Sequence, residues 1–237
     1  MKILAFSIAF CLLVGANSFK GQKKDSVVQI DISKILNARP VTTLTDGKLI
    51  PWKKGIDGDG TADGYFTLSA ALFNGDKDPH TLPDNPVFAA NESHPEIKLY
   101  YSNKDSVHNQ AFSIIGEGGV GFPVPKYKYS AVYLALLSAQ GAIALHVKLS
   151  YTDGAEEKDF VIPDYFWDIK ADDPTFCYLA HDMAKWNNKG IMAEKDHHNI
   201  NLLKLRPDPS KILKSIEISK TKPGYLVFWA ATGVKAE

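Results

Sequence analysis

The chain has almost no cysteine: two in 237 residues, of which Cys11 lies in an apolar leader, so Cys177 stands alone after processing and cannot close an intramolecular bridge. Stability must come from packing, helped at most by a bound ion. An exported chain this poor in cystine fits a bacterial periplasmic or extracellular setting better than an animal one. An excess of one charge is also lacking. Lys and Arg number 27 and Asp and Glu 27, which excludes the clustered basic surplus that a nucleic-acid partner requires. No apolar run reaches the ~20 residues of a membrane-spanning helix. The longest, Ile3 to Gly15, follows Lys2 and precedes the small residues Ala16 and Ser18, the pattern of a cleavable secretory signal peptide over residues 1–18. Residues 19–26 read as a polar leader, and 27–237 as a single domain. Catalytic signatures are missing too: there is no G-x-S-x-G elbow, no H-E-x-x-H helix and no C-x-x-C pair.

Short apolar runs separated by Gly, Pro, Asn and Asp clusters recur instead, and few of them keep a helical period, which predicts an all-β fold. The clearest strand is Ala142 to Tyr151, where Ile143, Leu145, Val147, Leu149 and Tyr151 alternate with Ala144, His146, Lys148 and Ser150. Asp153-Gly154 then turns the chain back along Glu157 to Pro163. Further strands are expected at 27–32, 97–101, 110–115, 131–138, 199–206, 212–219 and 225–232, enough for an antiparallel β-sandwich of the jelly-roll type. Residues 52–91 and 165–198 resist this reading and stand out as functional loops.

Three motifs carry chemistry at first sight. Asp57, Asp59 and Asp63 stand among glycines in Ile56 to Gly64, so a curled loop could aim hard oxygen ligands at one calcium ion. The EF-hand register fails, because Gly55 and Phe66 fall where carboxylates belong. Gly116-Glu117-Gly118-Gly119-Val120-Gly121 matches G-x-G-x-x-G, but Pro123 and Pro125 block the helix that a dinucleotide site opens. Those glycines are expected to form a turn or bulge. His181, His197 and His198 sit near Asp182, Glu194 and Asp196, yet adjacent histidines on a strand face opposite ways. Hydrogen bonding to a ligand suits them better than holding a transition metal.

Aromatic placement is the firmer clue. Trp52 opens the first irregular region, and Trp167 and Trp186 lie in the second with Tyr165, Tyr178, Asn187 and Asn188, whereas Trp229 within the last strand reads as core. A pyranose ring packs its C–H face on an indole, and amide, imidazole and carboxylate groups satisfy its hydroxyls.

The order of Ile30-Asp31-Ile32, Asp57-Gly58-Asp59-Gly60, the strand Tyr129 to Leu137, Val147 to Gly154, Pro163-Asp164 and the closing Val227-Phe228-Trp229-Ala230 resembles the galactose-binding-like jelly-roll modules attached to bacterial glycoside hydrolases. In such modules a strand ending in Tyr-x-Asp-Gly is followed by a hairpin return and a Pro-Asp or Asp-Trp step. Here Tyr165 follows Asp164, and the tryptophan is displaced to Trp167. The resemblance implies a galactose-binding-domain-like sandwich, a non-catalytic carbohydrate-binding role with the ligand held by loops, and a structural calcium.

The expectation is therefore a secreted or periplasmic carbohydrate-binding protein. Trp52 or Trp186 would stack on the sugar, with Asn187, His181 and His198 bonding its hydroxyls and Asp57, Asp59 and Asp63 on calcium. A small glycoside hydrolase or polysaccharide lyase would instead bring two carboxylates, or a His and a Tyr, into one groove. An envelope assembly protein would use the sandwich faces for protein contacts.

Overall fold

The computed structural model describes residues 26–57, 63–77, 79–221 and 223–237. The signal peptide expected over residues 1–18 and all but the last residue of the expected polar leader lie outside them. Among these residues fifteen strands, one short α-helix and one 3-10 helical turn (Ser33–Ile35) follow in chain order. First come β1 (Val27–Ile30), β2 (Val41–Thr45), β3 (Lys48–Ile50), β4 (Asp63–Phe66), helix α1 (Leu68–Asn74), β5 (Val87–Phe88) and β6 (Ile97–Lys98). Then follow β7 (Phe112–Ile115), β8 (Gly118–Tyr127), β9 (Tyr129–Ala139), β10 (Ile143–Tyr151) and β11 (Ala155–Ile162). The chain closes with β12 (Phe176–Asn187), β13 (Met192–Leu205), β14 (Leu213–Lys220) and β15 (Tyr225–Lys235).

The strands form an antiparallel β-sandwich. One sheet has nine strands, ordered β1-β15-β9-β13-β12-β4-β2-β3 with β7 also on β15, and its single parallel pair is β2 with β4. The other has four, ordered β11-β10-β14-β8, all antiparallel. Alternation in β10 does what the sequence predicts: Ile143, Leu145, Val147, Leu149 and Tyr151 are buried and the residues between them are half-exposed. They meet Leu134, Leu136, Leu203, Leu226 and Phe228 of the larger sheet in the core between the layers. Each such side chain contributes about 1.5–3 kcal/mol by leaving water.

The larger sheet is buried on its other face as well, which explains the nearly unbroken apolar run of β9. Val132, Leu134 and Leu136 point between the sheets, while Tyr133, Ala135 and Leu137 point outward under a second core with Tyr65, Leu99, Tyr101, Ile200, Leu202 and Trp229. Val41, Ile56, Leu82, Ile97 and Ala111 belong to the same core and help cover that outer face.

Two expectations need correction. Residues 52–91 and 165–198 are not loops throughout: β4, α1 and β5 lie in the first, β12 and half of β13 occupy the second, and the pairing of β12 with β13 slips in register four times. Charged and polar residues punctuate that ribbon, so its period of two is broken in sequence. The glycine run is likewise more than a turn. Gly116 has φ 68° and turns the chain, but Gly118 onward is strand β8, where Gly119 lies against the backbone of Ile218 and Ser219 too closely for a side chain.

Candidate functional site

Strand β4 inserts between β2 and β12, and the alternation along β4 and β12 sorts the site residues onto two faces. Phe66, Ala184 and Trp186 gather on one, with Leu44, Leu49, Trp52 and Met192 packed against them. Tyr65 and Met183 point to the other, where Tyr165 covers them.

On the first face Trp186 is fully buried, with 0% of its surface exposed. Its indole stacks on Phe66 at 4.6 Å between centroids, and its Nε1–H donates to Asp76 Oδ2 at 2.8 Å. It is a core plug, which corrects its expected role as a sugar platform. Asn187 is half-buried and structural: its Oδ1 accepts the backbone N–H groups of Lys189 and Ile191 and so caps the β12–β13 turn.

Trp52 is half-buried, and its position depends on a glycine. A Cβ added to Gly64 would lie 2.4 Å from Trp52 Cδ2, so the indole rests flat on bare backbone, with Phe66 edge-on at 6.1 Å. The ring borders a depression of about 450 Å³ whose lining includes Lys53, Asn74, Asn188 and Lys189. Asn74 donates to Gly190 O at 2.9 Å and thereby ties the end of α1 to the β12–β13 turn. No carboxylate lines this depression among the described residues, whereas two exposed ammonium groups do.

The second face carries a charge cluster. Lys185 Nζ lies 2.9 Å from Asp63 Oδ2, 3.1 Å from Glu194 Oε1 and 3.4 Å from Asp57 Oδ2, and it donates to Tyr165 OH at 3.0 Å. Tyr165 in turn donates to Asp57 Oδ2 at 3.1 Å. Burial works against the ammonium, but its bonds to Tyr165, Asp63 and Glu194 prevail and hold its pKa well above the usual lysine value. Burial, and then the neighbouring Asp63, push the Asp57 carboxyl upward.

His198 lies beside this cluster with no exposed surface, which removes it from the expected ligand contacts. Its Nδ1 donates to Met183 O at 2.8 Å, its ring packs on Tyr165 at 4.9 Å, and Nε2 stands 3.1 Å from Glu194 Oε2 without hydrogen-bond alignment. Burial and the charge of Lys185 lower its pKa. His181 is exposed on this side of the molecule, with its ring against Tyr178 at 4.3 Å and Nε2 at 3.4 Å from Asp168.

Asp57 and Asp63 do come together as the calcium expectation requires, but they meet on an ammonium. A divalent ion between them would face a resident cation already within 3.4 Å of both, so the described residues do not fit calcium there. Asp59 lies outside the described residues. Lys185, Tyr165 and Glu194 were not singled out as partners of these aspartates by sequence reasoning. The available signal was Lys185 itself, a lysine set in the otherwise apolar run Met183-Ala184-Lys185-Trp186.

No protein-family profile matches the chain. No curated protein matches it either. Among solved structures it is similar to the N-terminal CBM22-1 and GH10 modules of endo-1,4-β-D-xylanase 10B from Clostridium thermocellum, complexed with xylohexaose, with 12% identity and a TM-score of 0.29. The match covers 60% of this chain and 25% of that one, so the chain spans a quarter of the xylanase structure.

Proposed function

We propose that this is an exported, non-catalytic carbohydrate-binding protein whose Trp52 depression takes an acidic glycan. The observation that carries the reading is the seating of Trp52. Its indole is braced flat on Gly64, so it can stack on a sugar ring without first being ordered, and preorganisation of that kind raises affinity. Lys53 and Lys189 offer ammonium groups to carboxylates, and Asn74 and Asn188 offer amides to hydroxyls. A uronate-bearing chain satisfies both kinds of group, whereas a neutral one leaves the lysines unused.

A hydrolase would call for carboxylates facing an open groove, and here the three carboxylates converge on one largely buried ammonium. The exported setting rests on the leader sequence, and the kinship with galactose-binding-like modules rests on the residue pattern.

Titration calorimetry with hexagalacturonate tests the proposal. Binding should weaken at least tenfold in Trp52→Ala and in the double variant Lys53→Gln/Lys189→Gln, and it should fall as salt rises. Undiminished affinity in Trp52→Ala would end this reading.

A further inference from the structure

The loop that follows β11 carries an aromatic pair that the Trp52 depression does not use. Phe166 and Trp167 are 48% and 53% exposed, adjacent in sequence and surrounded by polar side chains. Exposed rings are ordinary singly, whereas two neighbours on a stiff mount are suited to packing against the C–H faces of a ligand.

The mount is stiff because its backbone is hydrogen-bonded on every side. Asp164, itself buried, accepts Gly141 N–H at 2.6 Å and Phe166 N–H at 3.0 Å through its carboxylate, and Trp167 N–H at 2.9 Å through its carbonyl. Tyr165 N–H donates to Ser138 O at 2.6 Å, and Tyr165 O accepts Asn199 N–H at 2.9 Å. The side chain of Tyr165 is anchored in turn by Lys185 and Asp57. Behind Phe166 stand the imidazoles of His197 and His198, 5.6 and 5.8 Å away between centroids, which back one side of the phenyl ring.

From this arrangement we infer a second sugar-binding platform, formed by Phe166 and Trp167, that takes a neutral glycan. The ligand class follows from the rim. Tyr178 OH donates to Asp168 Oδ1 at 3.2 Å, His181 stands beside the same carboxylate, and His197 lies 3.6 and 3.3 Å from Asp182 and Asp196. These groups suit hydroxyls. Asp168 follows Trp167 in the chain, and Asp182 and Asp196 pair with the His197 that packs on Phe166, so a uronate chain and an anionic lipid surface are both disfavoured here. Two rings are far smaller than a protein interface of about 1,000 Å².

The platform is also separate from the depression, whose lining includes neither Phe166 nor Trp167. Tyr165 belongs with Tyr65 and Met183, on one face of the β4–β12 pair, whereas Trp52 packs with Phe66 and Trp186 on the other. Two ligands of different charge could then be held at once, and the protein would bridge glycan chains.

Calorimetry on the full chain with xylohexaose, cellohexaose and mannohexaose, each against hexagalacturonate, decides the matter. At least one neutral probe should bind, weaken tenfold or more in Trp167→Ala and in Phe166→Ala, and be unaffected by Trp52→Ala. Hexagalacturonate affinity should be unchanged in Trp167→Ala, which also shows that this variant folds. Failure of every neutral probe to bind, or equal binding by wild type and Trp167→Ala, would overturn the inference. The inference rests on the mounted pair alone. If the neutral probe behaves as expected but hexagalacturonate does not bind, the depression reading fails and this one stands.

Discussion

The two faces of the β4–β12 pair solve the burial of polar and aromatic groups in opposite ways. One stacks Trp186, Phe66 and Trp52 until the last ring meets an open depression, and its polar groups are amides and lysines at the rim. The other draws three carboxylates, a phenol and an imidazole inward around a single ammonium. A side chain apart along one strand, Lys185 and Trp186 anchor the two. The lesson is that a dense set of polar groups does not by itself mark an open surface: the cluster around Lys185 is closed, whereas the sparser set around Trp52 borders a depression.

The largest break in this comparison comes from removing the central cation. Lys185 is only 10% exposed, so Lys185→Met leaves the carboxylates facing one another without a counter-charge. A loss of about 3–5 kcal/mol is expected, the usual effect of deleting one partner of a buried ion pair. Urea unfolding measures it, and a loss below about 1 kcal/mol would mean that solvent already screens the cluster.

Trp186→Phe tests the opposite face and should cost about 2 kcal/mol, through the lost bond to Asp76 and the smaller ring, while leaving hexagalacturonate affinity unchanged in calorimetry. A large loss of affinity at unchanged stability would restore Trp186 as a ligand contact.

The pH dependence of unfolding sharpens the contrast further. The folded-state pKa of Lys185 lies above the 10.5 of a free lysine, so its contribution is complete below pH 10.5 and is lost as pH rises beyond it. The buried tyrosines act in the same direction: burial pushes Tyr129 up to about 12 and raises Tyr65 as well, so each loses stabilisation as pH rises through the ordinary tyrosine range. Wild type should therefore lose up to about 1.4 kcal/mol more per pH unit above 10.5 than Lys185→Met, the value of one proton. Equal slopes would remove Lys185 from the account. The smallest expected effect is that of a chelator. Since Lys185 occupies the place between Asp57 and Asp63, EDTA should leave the thermal midpoint of wild type unmoved, and a shift of several degrees would revive a calcium site.

What could be read in the chain beforehand followed simple periodicity. The alternation of Ile143 to Tyr151 fixes the face of β10, and the apolar density of Tyr225 to Thr232 places β15 inside a sheet. The ribbon of β12 and the first half of β13 escaped because register slips and positive φ at Asp182 and His197 break the period of two, while the strand expected at 199–206 is the second half of β13. Site residues were legible by type more than by exposure. Asp57 and Asp63 do converge, but on a lysine 122 positions beyond Asp63, a pairing that only the sheet topology makes. Trp52 and Trp186 look alike in sequence, and what separates them is which one ends the aromatic stack. Gly64, whose missing side chain seats Trp52, gives no signal of that role in a stretch already rich in glycine.

Gly64→Ala is therefore the most direct measurement, because it displaces the indole without deleting it. The added methyl would stand 2.4 Å from Trp52 Cδ2, and neither Trp52 nor the lysines would be lost. Hexagalacturonate binding should fall at least tenfold while the far-ultraviolet circular dichroism spectrum stays that of wild type. An affinity equal to wild type, with the ring visibly moved by a change in tryptophan emission, would contradict the claim that this braced indole is the binding surface.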